Sequence, residues 1–231
     1  MNEPKQYWPV DSQTKEVQQA VLAQYRGGMH HIPSNALTEQ PPQPKEGFAV
    51  IATFNDGVPI GAEYIPDHRG VTIYNKENGA ESKTVSELGE IEEGWTPLKP
   101  LAYSIWKTGK WEQQVYLLLS AKRAEIKQWR LSEEADETQT VSLFGTDWDA
   151  GPSARSRIDS VLLIAQMPPY WTDANNVDHD AMTLEDLKQV RIAISELGFA
   201  IHKRQRTMKK EVEALTDFDE ILNYSVGWPQ S

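Results

Sequence analysis

The hydrophobic period of this chain changes at about Glu112, and that change limits the folds open to it. Upstream, apolar residues come in short runs broken by prolines and turn residues, as strands do. Downstream they recur every three or four residues, as on amphipathic helices. The junction is Trp95–Trp111, reading WTPLKPLAYSIWKTGKW, which holds three of the eight tryptophans. Within it Tyr103, Ile105 and Trp106 read as a strand, Thr108-Gly109-Lys110 as a tight turn, and Trp111 as the start of the return strand. Aromatics beside such a turn bury much area and pack across strands, so a core role is the first reading. The fold class expected is α+β: a small antiparallel β module followed by a mainly helical C-terminal domain with short hairpins.

Three segments follow from this period. Residues 1–46 read as an adaptor arm and proline-rich linker. Pro4 and Pro9 bracket Tyr7-Trp8, which either anchor a partner or pack back on their own domain. Thr14 is placed to cap a short helix with Val17, Ala20, Val21 and Tyr25 on one side, ended by Gly27-Gly28. Pro41-Pro42-Gln43-Pro44 favours extended backbone. Residues 47–113 read as a β-rich module: Phe48–Phe54, a turn at Asn55-Asp56-Gly57, a return over Val58–Ile65, a polar turn at Asp67-His68-Arg69-Gly70, then strands near Ile73 and Thr84.

Residues 114–231 read as mainly α-helical. Val115, Leu118, Leu119, Lys122, Ile126 and Trp129 trace a helical stripe. VSLFGTDW predicts a hairpin, Pro152 a helix start, and Tyr170–Met182 a second hairpin around Asn175-Asn176. Thr183 and Asp186 form a capping box ahead of the longest helix, whose stripe runs from Leu187 to Leu215. Gly198 inside that helix suggests close packing at its position. Thr216-Asp217 starts a last short helix ending near Gly227.

Charge and composition exclude several functions. Thirty-four acids against 23 bases leave a net charge of −11, which argues against binding a nucleic-acid backbone. There are no cysteines, so thiolate metal sites, disulfides and cysteine nucleophiles are ruled out. The N-terminus lacks the shape of a signal peptide, and no apolar run is long enough to span a membrane.

Little points to chemistry. There is no Gly-rich phosphate loop, G-x-S-x-G or H-E-x-x-H. Asp178-His179-Asp180 and His30-His31 place adjacent residues on opposite faces of a strand, so they converge poorly on one ion. Asp67-His68-Arg69 sets an acid beside a histidine without a nucleophile; Arg69 paired to a carboxylate would lock that turn. His202 is expected to be a partly buried, hydrogen-bonded helix residue. No catalytic residue, metal site or cofactor is expected, and the chain reads as a non-enzyme.

Two stretches carry a resemblance. IPDHRGVTIYN, then ELGEIEEGWTPLKP and IWKTGKW, resemble the module of tail-fibre and tail-fibre assembly proteins of tailed phages and prophages. From about residue 122 to 228, IKQWR, FGTDWDAGPSARSRI, YWTDANNV, MTLEDL, HKRQRTMKKEVEALTDFDEI and the terminal GWP resemble a C-terminal domain of unassigned activity that recurs on phage tail proteins. The resemblance implies a tail-fibre assembly chaperone that binds the tip of a trimeric fibre protein in the host-cell cytoplasm, and in some phages stays on the particle. The alternative it implies is a structural virion component of the fibre or its baseplate attachment. An enzyme acting on host-surface glycans is a third reading, and would need two carboxylates across a cleft. The expected partner surface comprises Tyr7, Trp8, Trp95, Tyr103, Trp106 and Trp111, because interface cores favour aromatics.

Overall fold

The computed structural model describes residues 4–229. The chain forms two compact units that meet between Gln113 and Gln114.

The N-terminal unit opens with β1 (Gln6–Pro9), β2 (Val21–Leu22), the hairpin of β3 (Gln24–Arg26) and β4 (Met29–His31), and β5 (Ala36–Leu37). β1 lies between β2 and β5, antiparallel to both. The helix expected after Thr14 does not form. Asp11 Oδ1 instead accepts the backbone N–H of Gln13 and Thr14, each at 2.8 Å, and Lys15 turns into the left-handed region at φ 64°. The next residues then join the sheet: Val17 N–H donates to Val50 O, and Ala52 N–H donates to Lys15 O, both at 2.9 Å. Gly27-Gly28 is the tip of the β3–β4 hairpin rather than a helix end, with φ of 59° and 85°. Tertiary pairing has overridden helix periodicity here, as it does for short segments.

Two longer strands, β6 (Phe48–Asn55) and β7 (Val58–Pro66), form a hairpin turning at Asp56-Gly57. Positive φ at both turn residues matches the twist of the flanking strands. Val10, Leu37 and Ala52 form a buried cluster, with Trp8, Val17 and Ala62 packed against it. Trp8, Val10, Val17 and Leu37, in the segment expected to be an arm and linker, therefore share a core with the strands that follow. A small sheet of β8 (Thr72–Asn75), β9 (Ser82–Thr84) and β10 (Trp95–Thr96) has β8 at its centre and buries Ile73. The unit ends in the hairpin β11 (Ser104–Lys107) and β12 (Lys110–Gln113). Its turn is Thr108-Gly109; Lys110, expected in the turn, pairs with Lys107 as strand.

The C-terminal unit runs α1 (Val115–Ala135), β13 (Thr140–Leu143), β14 (Thr146–Asp149), α2 (Pro152–Ile164), β15 (Trp171–Thr172), β16 (Asp178–His179), α3 (Leu184–Ala214) and α4 (Phe218–Leu222). Together with the N-terminal strands this is the α+β class expected. α3 organises the unit. At 31 residues and ~1.5 Å per residue it spans ~46 Å, enough to serve two cores. Its first half, Leu187, Val190 and Ile194, packs with Trp148, Ala150 and Ile158. Its second half, Met208 and Val212, packs with Leu118, Ile126 and Ile221. Thr183 and Asp186 close the expected capping box, each side chain bonded to the other's backbone N–H. Lys122 shares the buried stripe of α1; its Nζ donates to Tyr224 O at 3.0 Å and pairs with Glu125 Oε2, also at 3.0 Å, which balances the charge.

Two expectations fail in this unit. A Cβ on Gly198 would meet nothing within 4 Å, so no neighbour packs close there. α4 stops at Leu222, well short of Gly227, because Asn223 leaves the helix and the remaining chain crosses back over α3. That crossing is held by Arg204 Nε donating to Gly227 O at 2.7 Å and by the Gly227 N–H on Met208 Sδ.

Candidate functional site

The aromatic segment of the N-terminal unit turns its rings inward and its aliphatic residues outward. Trp111 is 8% exposed, and its Nε1–H donates to Leu98 O at 2.8 Å. Trp106 sits opposite it in register, half-buried, with the rings edge to face at 5.4 Å. Trp95, also half-buried, pairs with Asn75 and carries the Lys83 ammonium 4.3 Å above its ring. Tyr103 is at the surface, with φ 54°. Trp8 packs onto the cluster around Val10, and Tyr7 beside it is half-buried in β1. Of the six aromatics expected to meet a partner, Trp111 is core, Trp8 is largely so, and only Tyr103 stands well out.

What the segment offers solvent is aliphatic and basic. Leu98 is 51% exposed and Leu101 53%, with Ile105 beside them in β11. From Gly94 to Trp111 there is no aspartate or glutamate, whereas Lys99, Lys107 and Lys110 are present and exposed. Glu112, opposite Ile105 in the hairpin, lies 3.5 Å from Lys110, so the segment presents exposed aliphatic side chains among lysines with one carboxylate beside them. Aromatic size drew attention, but large rings in a small β module fill its core first.

A second exposed set went unread in the sequence. Val21, Leu22, Tyr25 and Met29 lie on β2 and the β3–β4 hairpin, with Leu22 and Met29 each 61% exposed. The sequence spacing places Val17, Ala20, Val21 and Tyr25 on one side of a short helix, which does not form. The signal available was the absence of any acid from Val17 to Thr38. β2 is also an edge strand, with β1 on one side and no strand paired on the other among the described residues.

The titratable groups considered for chemistry are structural. Arg69 bridges Asp67 and Glu16, with Nη2 at 2.7 Å from an oxygen of each. The guanidinium holds the Asp67 carboxyl down at about 2, and lowers Glu16 as well. Asp173, almost wholly buried, joins the two C-terminal hairpins. Its Oδ1 accepts the N–H of Asn175 and of Val177; its Oδ2 accepts the Thr146 hydroxyl at 2.6 Å and lies 3.0 Å from His179 Nε2. These bonds, the Thr146 hydroxyl foremost, hold its carboxyl well below the usual range. Asp178 accepts from Thr172 instead, so the adjacent Asp178 and His179 take different partners. His30 faces Tyr25 edge-on, while His31 contacts Arg26 O. His202 is exposed, not partly buried, and lies 3.0 Å from Glu134. Among the described residues no group of three His, Cys, Asp or Glu is placed to hold a metal ion, and no helix is long and apolar enough to cross a membrane.

Comparison with known proteins gives this two-unit chain its context. Residues 118–226 match a family described as a domain of unknown function, DUF4376. Over 120 residues the chain is 31% identical to a tail fiber assembly protein homolog of Escherichia coli, covering 52% of each chain. Over 83 residues it is 37% identical to the prophage tail fiber assembly protein homolog TfaE of Escherichia coli K12, covering 35% of this chain and 38% of that one. The chain thus spans about half the length, or less, of the curated relatives it matches. No solved structure matches it. Over the matched stretches the chain is similar to these tail fiber assembly protein homologs, which agrees with the resemblance its motifs carry.

Proposed function

We propose that this protein acts in phage tail fibre assembly as a non-enzymatic, chaperone-like binder of the fibre polypeptide. The observation that carries the reading is the set of exposed apolar side chains at 94–111, Leu98, Leu101, Tyr103 and Ile105, in a segment that holds three lysines. A face of this kind suits a partner presenting apolar side chains among carboxylates. The names of the two relatives agree with such a role. The fibre tip, in its trimeric form, is the proposed docking point, and contact occurs in the host cytoplasm during assembly. Retention on the finished tail, or contact with the baseplate, is the alternative outcome.

Co-expression with the tail fibre protein of the same phage or prophage tests this. The complex is expected to survive affinity capture and to weaken as salt rises, because lysines contribute. Failure to co-purify, with both proteins folded, would remove the reading. Quantifying the protein in purified particles separates the two outcomes: stoichiometric copies mean a structural virion component, and absence means a transient chaperone.

A further inference from the structure

The C-terminal unit contains a cleft of about 370 Å³ that the fibre-assembly reading does not use. It opens between β14, α2 and the segment leading into β15. Its floor is Trp148, Ile158 and Val190, all buried; its rim carries Arg157, Tyr170 and Asn176. This size falls in the range of small-molecule sites.

The lining restricts the chemistry of an occupant. Three aromatics, Trp148, Tyr170 and Trp171, contribute, and Tyr170 is 53% exposed, so a ring face is available at the mouth. The charges cancel. Arg157 lies 3.6 Å from Asp149, and both are on the lining. Asp173 also lines the cleft, but both of its oxygens are already taken by Thr146, His179 and two backbone N–H groups. An anionic ligand would meet the Asp149 and Asp173 carboxylates, while the solvent-accessible Asp149, Arg157 and Asn176 side chains offer polar partners at the mouth that a purely apolar ligand would leave unused. What fits is a neutral ring with apolar C–H faces and several hydroxyls at its edge. The C–H face lies against Tyr170 and Trp171, and the hydroxyls bond to the Arg157, Asp149 and Asn176 side chains.

We propose that this cleft is a binding site for a neutral sugar ring. The proposal does not rest on the fibre-assembly reading. It is tested on the full chain by saturation-transfer NMR with methyl glucoside, methyl galactoside and N-acetylglucosamine, and with inorganic phosphate and benzamidine as charged competitors. At least one sugar is expected to receive saturation at its ring C–H protons. Tyr170→Ala removes the stacking face and is expected to weaken that sugar roughly tenfold. Asn176→Gly, which keeps the left-handed backbone at φ 59°, is expected to weaken it without loss of fold. Thermal melts of both variants should match the parent, since both positions are exposed. Absence of transfer to every sugar at millimolar concentration overturns the proposal. So does transfer unchanged by Tyr170→Ala, or displacement of the sugar by phosphate or benzamidine at equal concentration.

Discussion

Arg69 forks onto Glu16 across 53 residues of chain, with Nη1–Oε2 at 3.1 Å and Nη2–Oε1 at 2.7 Å. The same guanidinium grips Asp67 through Nε and Nη2. One side chain thus fixes the turn after β7 and pins the start of the chain to the β module. Arg69→Ala is expected to open residues 10–20 to limited proteolysis and to lower the urea midpoint of the N-terminal unit. Arg69→Lys keeps the charge but not the fork, and should recover only part of the loss.

Acid should attack the same knot. The Asp67 carboxyl falls from an ordinary 3.8 to about 2 in the folded protein. A lowered folded value means the contribution is complete above the unfolded value and disappears as pH falls through the folded one. The stability contributed by Asp67 is therefore expected to be flat above about pH 4 and to be lost from there down to about 2. Comparing the acid unfolding profiles of the parent and Asp67→Asn measures it; the two curves should converge at the acid end. Arg69 stays charged throughout, because its partners raise its value further.

In the C-terminal unit the two cores along α3 give graded expectations. Leu118 is fully buried against Met208 and Val212, so Leu118→Ala should cost ~2–5 kcal/mol by chemical denaturation. Thr183→Ala removes the capping hydroxyl of α3 and should cost ~1 kcal/mol. Equal losses from the two would mean that α3 is held by its cap rather than by its cores.

Two glycines should respond in opposite directions. Gly198 lies in mid-helix with open space around it, so Gly198→Ala is expected to stabilise by about 1 kcal/mol. Gly79 has φ 65°, and a Cβ there would lie 3.1 Å from the Trp111 ring and 3.2 Å from Pro100. Gly79→Ala should therefore destabilise the N-terminal unit and shift tryptophan fluorescence as Trp111 is displaced. Thermal melts of both variants check the signs.

The elements that were legible in the sequence were those whose signals are local. Asp56-Gly57 and Thr108-Gly109 set their turns through positive φ, and Thr183 with Asp186 started α3 through its own cap. The long stripe from Leu187 to Val212 needed no tertiary information to read as a helix. The segment from Val17 to Tyr25 was misread because its helix-like spacing is too short to outweigh sheet pairing with Val50. Asp173 escaped notice as the joint of two hairpins because its partners Thr146 and His179 converge only once both hairpins fold. The exposure of Leu98 and Leu101 was likewise hidden, since sequence alone does not say which side chains a small β module has room to bury.

Inward rings and outward aliphatics in the 94–111 segment give the sharpest test of the docking surface. Leu98→Ser with Leu101→Ser removes two exposed side chains from a face that is otherwise solvated. It should leave the thermal midpoint nearly unchanged and sharply reduce capture of the fibre protein. Trp111→Ala acts in the core and is expected to cost ~3–5 kcal/mol, so any loss of binding there reports unfolding. Trp106→Ala lies between these limits. Its ring meets Trp111 edge to face and lies beneath the Lys76 ammonium, so its loss should weaken capture while leaving helical content intact. A matched pair on the other exposed apolar set, Leu22→Ser with Met29→Ser, discriminates between the two surfaces. If that pair abolishes capture and the Leu98/Leu101 pair does not, the β2 edge and the β3–β4 hairpin are where the fibre docks.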